Sequence, residues 1–211
     1  MNPPWERSEY MEERIEFSAG NIALEGLLQK NSETGGVVIT HPHPLYGGNM
    51  HNNVVMAIAK AYQKQGHTTL RFNFRGVGSS RGSYADGVGE REDVAAAISY
   101  LADLGMKQID LAGYSFGAWV NGHIDCANAG IANMVMVSPP IAFIEFDPVS
   151  TIGCLKLIVT GSRDDIAPVE MIRQSYQKWN ADAHFEVING ADHFYGGYED
   201  RLTEVLLSNL K

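Results

Sequence analysis

The sequence predicts an α/β fold in which one mostly parallel sheet of about eight strands is covered by helices on both faces, a three-layer sandwich. Three observations predict it. Short apolar, β-branched runs alternate with longer stretches of helical periodicity. Most of those runs are apolar or β-branched in the main instead of strictly alternating, as strands buried on both faces are. No repeat, low-complexity tract or Pro/Ser-rich linker interrupts the 211 residues, so a single domain spanning 1–211 is expected.

The elements follow in order. "RIEFSAGNIALEGLLQK" holds two alternating runs around Ala19-Gly20-Asn21, an antiparallel hairpin signal. Strands are then expected at 36–40, 67–74, 108–113, 133–138, 155–161 and 184–188. Helices are expected from Asn53 to Gln65, Glu90 to Leu104, Phe116 to Ala129, Val169 to Trp179 and Arg201 to Leu210. In the second of these Glu90, Glu92 and Asp93 lie early, where the helix dipole favours anions. Right-handed crossovers bring the carboxyl ends of the parallel strands to one edge, where α/β sites form.

Composition narrows the function. A net charge of −9 and a pI near 5.2 argue against a general nucleic-acid binder, which needs a basic stripe to neutralise phosphates. The nearest approach to one, Arg71, Arg75 and Arg81, reads as a solvated or salt-bridged loop. Cys126 and Cys154 are too few for a disulfide framework and are expected as buried free thiols. "MNPPWERSEYMEERIEF" lacks the apolar core of a signal peptide, and no run approaches the roughly 18 apolar residues that span a bilayer, so a cytoplasmic chain with no membrane partner is expected.

Two segments satisfy Gly-x-Ser-x-Gly: 113–117 around Ser115, and 78–82 around Ser80. Ser80 follows a loop glycine and precedes more loop. Ser115 follows the strand "QIDLA" and opens the helix "FGAWVNGHIDCANA". A nucleophilic serine at such a junction takes a strained conformation that lifts its hydroxyl off the sheet, and the residues two before and two after must be small. Gly113 and Gly117 meet that need. The helix that starts there turns unpaired N–H groups toward the oxyanion of an attacked carbonyl, with the Phe116 N–H as first donor.

A serine hydroxyl needs a base, and the base a carboxylate to orient it. On this architecture the chain order is serine, acid, histidine. His184, in the alternating run "AHFEVI", is expected at the surface or at an edge. His193, in the loop "INGADHFYGG" after the last strand, can reach across the carboxyl edge. Asp164 and Asp165, after the strand ending at Gly161, are equal candidates for the acid, with Asp147 third.

Along essentially its whole length the chain resembles the α/β-hydrolase superfamily, and most of all its small capless bacterial members near the dienelactone-hydrolase and prolyl-oligopeptidase-like branches. In that family the acid commonly falls at the aspartate of G-x-x-D-x-x-x-P, here Gly161 to Pro168, which implies Asp164. "GADHF" resembles the family's histidine loop and implies His193. The resemblance also implies a second oxyanion donor in "THPHPLYGGNMHNN". The His43 N–H is its choice, with Leu45 or Tyr46 as fallback, because Pro42 and Pro44 have no N–H. Dienelactone hydrolases carry a cysteine nucleophile, so a serine at 115 departs from that substrate.

His41, His43 and His51 share no carboxylate or cysteine at ligand spacing, so no metal is expected; the Lys-Ser/Thr of a phosphate loop is absent, and Arg81 stands where a dinucleotide fingerprint needs glycine, so no cofactor is expected. About 16 residues separate Ser138 from Leu155, too few for a sizeable cap. The implied site is therefore open. Leu45, Tyr46 and Tyr195 are expected to contact substrate; these, with Phe116, Ile141 and Phe143, otherwise pack in the core. The expected activity is hydrolysis of esters or thioesters of small acyl groups. A serine peptidase of the aminopeptidase type and a non-catalytic binding protein are the alternatives.

Overall fold

The computed structural model describes residues 12–146 and 151–210. Eight strands form one sheet: β1 (Glu13–Ala19), β2 (Ile22–Gln29), β3 (Gly35–Thr40), β4 (Thr68–Phe72), β5 (Gln108–Tyr114), β6 (Ile131–Val137), β7 (Leu155–Gly161) and β8 (His184–Ile188). Their spatial order is β1-β2-β4-β3-β5-β6-β7-β8. The hairpin is antiparallel, with Ala19 opposite Ile22 across a two-residue turn, and β2 joins β4 antiparallel. From β4 to β8 every neighbouring pair is parallel.

Side chains of the central strands go alternately to two buried clusters. Val38, Leu111, Met134, Met136 and Ile158 pack on one face with residues of α2 (Val88–Asp103), α3 (Phe116–Gly122) and α5 (Val169–Trp179). Val37, Ile39, Ala112, Tyr114, Val135, Val137, Leu157 and Val159 pack on the other with α1 (Asn53–Lys64) and α6 (Glu199–Asn209). Neither face meets water, which is why these strands read as continuous apolar runs. Residues 138–146, between β6 and β7, carry no helix or strand, so no large cap stands over the sheet edge there. Among the described residues no helix is long and apolar enough to cross a membrane.

Two expectations are corrected. The helix expected from Phe116 to Ala129 is broken: α3 ends at Gly122, and a short α4 (Cys126–Ala129) starts afresh at Asp125, whose carboxylate accepts the N–H groups of Ala127 and Asn128. That acceptor competes with continuation of the helix. Cys126 and Cys154 are not free thiols; they form a disulfide that ties α4 to the segment entering β7. The pair lies 28 residues apart in sequence, and the return of the chain through β6 brings the Cα atoms to 5.9 Å. Nothing in the spacing of two cysteines announces that.

Of Arg71, Arg75 and Arg81, the first two are salt-bridged and buried. Arg71, on β4, pairs with Glu12, and Arg75 pairs with Asp93 at 2.7 Å and Glu92 at 3.0 Å. Arg81, the third, is exposed.

Candidate active site

The carboxyl ends of β3, β5, β6, β7 and β8 share one edge of the sheet, and the candidate residues lie in the loops that leave it. Ser115 stands between β5 and α3 with φ 54° and ψ −120°, a left-handed region that non-glycine residues enter at a cost. The flanking glycines are required by space. A Cβ at Gly113 would fall 2.5 Å from both Asn121 Nδ2 and Thr40 Oγ1, and one at Gly117 2.6 Å from Thr40 Oγ1 and 2.7 Å from Thr40 O. The β5–α3 turn is thus pressed against the end of β3. The Ser115 N–H donates to Val137 O at 2.9 Å, holding the turn to β6 as well.

The structure brings Ser115, His193 and Asp164 together. His193 Nε2 lies 3.0 Å from Ser115 Oγ, and His193 Nδ1 lies 3.0 and 2.9 Å from the two oxygens of Asp164. All three are buried. An ionised Asp164 can only accept, so Nδ1 carries the imidazole proton and Nε2 is left to accept from the serine hydroxyl.

Asp164 is well supplied with donors. Its Oδ1 accepts the N–H groups of Ile166 at 2.9 Å and Ala167 at 2.7 Å. Burial pushes its carboxyl upward, but hydrogen bonds from His193, Ser138 and Ala167, with the charge of His193, outweigh it and hold the group below the ordinary carboxylate value. Asp165 is exposed, and the carboxylate within hydrogen-bond distance of His193 is that of its neighbour Asp164. Asp147 lies outside the described residues. His184 is exposed on β8, as expected. Ser80 is tied at both ends, donating to Asn73 O at 2.7 Å and accepting the Glu25 N–H at 3.0 Å, so the second Gly-x-Ser-x-Gly is a structural turn.

The loop after β3 lies beside Phe116. The His43 ring packs 4.7 Å from the Phe116 ring and its Nε2 is 3.3 Å from the Tyr84 hydroxyl, while its Nδ1 accepts the Leu45 N–H at 3.2 Å. The Tyr46 N–H donates to His43 O at 3.1 Å. Gly48 closes the turn where a Cβ would sit 2.0 Å from Pro42 O. His41 is wholly buried; its Nε2 accepts the Phe74 N–H at 3.0 Å and its Nδ1 lies 2.6 Å from Pro42 O. Burial lowers it to about 4, so it is neutral and structural. Among the described residues no group of three or more histidines, cysteines or carboxylates is placed to hold a metal ion.

The expected substrate contacts divide. Leu45, Tyr46 and Phe143 are exposed, at 66%, 87% and 73%, while Phe116 is buried and Ile141 half-buried against the core. Tyr195 is a correction: it is fully buried, because Asp192 Oδ1 accepts the N–H groups of Phe194 and Tyr195 and the turn so formed drives the Tyr195 ring inward. Phe194 takes the outward place, its ring edge-on to His193 at 5.7 Å. Sequence reading passed over Tyr114 and Ser138. The Tyr114 hydroxyl donates to His193 O at 2.7 Å, and Ser138 Oγ lies 2.8 Å from the Tyr195 hydroxyl. Their only signal was position, each standing at the carboxyl end of a central strand.

No family model matches the chain. It is 33% identical over 194 residues to an uncharacterized protein of Rickettsia prowazekii, covering 86% of this chain and 82% of that one. A shorter match, 38% identical over 82 residues, covers 38% of this chain and 27% of the rat mitochondrial palmitoyl-protein thioesterase ABHD10. Among solved structures, an alpha-beta serine hydrolase homologue from Coxiella burnetii superimposes with a TM-score of 0.88 at 34% identity, over 95% of this chain and 98% of that one. A serine hydrolase without a lid from Xanthomonas campestris superimposes with a TM-score of 0.85 at 24% identity, over 100% and 95% of the two chains.

Proposed function

Because the chain belongs to the α/β-hydrolase family of serine hydrolases, we propose that it cleaves carboxylic esters or thioesters of small acyl groups through an acyl-enzyme formed on Ser115, all within one domain. The observation that carries this reading is the unbroken run of hydrogen bonds from Ser115 Oγ through His193 to Asp164 at the carboxyl edge of the sheet.

The proposed mechanism uses these atoms in turn. Ser115 Oγ attacks the acyl carbonyl as its proton passes to His193 Nε2, and Asp164 stabilises the imidazolium that results. The tetrahedral oxyanion is held by peptide N–H groups. Phe116 offers one, since the first N–H groups of a helix have no intrahelical partner. His43 offers the other: the fallback donors are spent, Leu45 on the His43 ring and Tyr46 on the His43 carbonyl. Each such donor is worth about 100- to 1,000-fold in turnover. His193 then returns its proton to the leaving alcohol or thiol, and water, activated by the same base, releases the acid.

Leu45, Tyr46 and Phe143 offer exposed apolar surface to the acyl group on a site without a large cap, which suits a short or protruding acyl chain. The local likeness to a thioesterase supports keeping thioesters beside esters in the substrate class. No nucleic acid, membrane or cofactor enters this reading. It includes a cytoplasmic location, where the Cys126–Cys154 disulfide would be unusual.

The test is fluorophosphonate labelling together with a panel of short p-nitrophenyl esters, acyl-CoA thioesters and aminoacyl amides. Ester or thioester turnover and serine labelling are expected, both abolished in Ser115→Ala with the fold intact. Turnover of the amides alone would favour a peptidase. Failure of every substrate without labelling would leave a binding protein, and labelling that survives Ser115→Ala would move the nucleophile elsewhere.

A further inference from the structure

Phe194 follows His193 directly in the chain and lies on its open side. Its side chain is 66% exposed, and its ring stands edge-on to the imidazole, with centroids 5.7 Å apart and planes at 88°. The other groups against the imidazole are buried: the Tyr114 ring at 5.3 Å, and Asp164 at Nδ1. The main chain beneath Phe194 is tied on both sides. Its N–H donates to Asp192 Oδ1 at 3.0 Å, and its carbonyl accepts Asn53 Nδ2 at 2.9 Å. Asn53 opens α1, and the same Nδ2 donates to Oε1 of Glu199, which opens α6, at 3.0 Å. An apolar ring is therefore mounted beside His193 on a turn anchored to two helices, with its surface left to water.

The stereochemistry of acyl transfer says what meets that ring. When Ser115 Oγ adds to the acyl carbonyl, the tetrahedral carbon carries three other groups: the oxyanion, the acyl chain and the leaving oxygen or sulfur. In the proposed mechanism the oxyanion turns to the N–H groups of Phe116 and His43. The leaving atom has to come within hydrogen-bond reach of His193 Nε2, which protonates it. The body of the alcohol or thiol then projects over the imidazole on its open side, and the acyl chain takes the remaining direction.

We propose that Phe194 is a specificity-determining residue for the leaving group, and that the ester or thioester cleaved carries an apolar alcohol or thiol, a ring-bearing one above all. This rests on the reading of Ser115, His193 and Asp164 given above and deepens it. The bond from Ser115 Oγ to the acyl carbon forms, and the C–O or C–S bond breaks with its electron pair leaving on the alcohol or thiol. The serine proton reaches that atom through Nε2. While the bond breaks, the departing ring packs on Phe194; aromatic pairs favour edge-to-face or offset contact and gain more than the area they bury.

The experiment compares Phe194→Ala and Phe194→Leu with the parent chain on two series, with Ser115→Ala alongside. One series is the acetates of methanol, cyclohexylmethanol and benzyl alcohol, alcohols of similar basicity; the other is methyl esters of acetyl, butanoyl and hexanoyl groups. kcat/KM senses acylation, in which the leaving group is still attached, whereas kcat, where deacylation limits, senses an acetyl-enzyme common to the first series. The parent should favour benzyl over methyl acetate by about 10-fold in kcat/KM. Phe194→Ala should lose that preference, with methyl acetate and the rate of fluorophosphonate labelling changed less than about twofold. Labelling expels only fluoride, which has no body to reach Phe194, so it reports the competence of Ser115 and His193 alone. Phe194→Leu should keep more of the preference for cyclohexylmethyl than for benzyl acetate. The order of the acyl series should stand in both variants.

A parent without the benzyl preference, or a preference that survives Phe194→Ala, would overturn the proposal. Equal losses on methyl and benzyl acetate, with labelling slowed in step, would overturn it too, by making Phe194 a support for His193. A change that follows the acyl series would put Phe194 on the acyl side. Activity that survives Ser115→Ala would instead strike at the function on which the proposal rests.

Discussion

Replacing Gly117 with alanine tests whether close packing of the β5–α3 turn against β3 sets the position of Ser115, the proposed nucleophile. A Cβ built at 117 lies 2.6 Å from Thr40 Oγ1, 2.7 Å from Thr40 O and 2.8 Å from His41 O. Carbon and oxygen rest near 3.4 Å, so the two surfaces must part by roughly 0.6 to 0.8 Å. Two of the three atoms are main-chain oxygens at the end of β3 and cannot swing aside. Thr40 Oγ1 is itself held between Ala112 O at 3.3 Å and Asn121 Oδ1 at 3.2 Å. The relief must come from lifting the start of α3, which carries Ser115 and the Phe116 N–H away from His193 and from the loop of His43. Overpacking of this kind costs about 1 to 3 kcal/mol, or about 2 to 12 °C in melting temperature for a chain of this size. A displacement approaching 1 Å at a reacting group costs on the order of 100-fold in rate. The assay pairs thermal unfolding with the rate of fluorophosphonate labelling. Gly153→Ala is the control, since its Cβ would meet nothing within 4 Å and its backbone is not left-handed. If Gly117→Ala melts with the control and labels at the parent rate, close approach at 117 does not position the serine and the argument from the glycines fails.

Two further outcomes follow from buried groups. His41 is lowered by burial from 6.5 to about 4. The unfolded chain therefore takes up a proton between those values that the folded chain refuses, and stability must fall as pH drops from about 6.5 toward 4. At about 1.4 kcal/mol per unit this amounts to about 3 kcal/mol by pH 4; urea unfolding followed against pH should show that slope, and His41→Gln should lose it. The Cys126–Cys154 bond closes a loop of 28 residues, which on chain entropy alone stabilises by about 3 to 4 kcal/mol. Iodoacetamide should leave the folded chain unlabelled and add two groups after reduction, with a lower melting temperature; labelling before reduction would show that the pair is not bonded in solution.

Which parts of this architecture could be read in advance depends on the range of the physics involved. The hairpin turn, the strands buried on both faces and α5, expected and found at Val169–Trp179, rest on contacts that periodicity encodes locally. Ser115 could be singled out because a strained serine at a strand-to-helix junction demands small neighbours on both sides, and demand and supply stand within five residues. His193 needed one tertiary rule, the chain order of serine, acid and histidine on this sheet edge; that rule left Asp164 and Asp165 level, and only the resemblance to α/β-hydrolases chose between them. Tyr195 was misplaced because its direction is decided by Asp192 three residues earlier: capping of the Tyr195 N–H turns the backbone to φ 56° and sends the ring toward Ser138. An outward Phe194 and an inward Tyr195 look alike in composition, and only the turn separates them. The break between α3 and α4 was more accessible, since Asp125 two residues after His123 is a capping acceptor in the open. The disulfide was not, because it depends on where β6 returns the chain and not on the cysteines themselves. A pattern is legible when cause and consequence lie within one turn or one strand. Ser138 belongs to the other kind: it is one residue past a strand in the sequence, and only the turn after β8 that buries Tyr195 gives its hydroxyl a partner, at 2.8 Å.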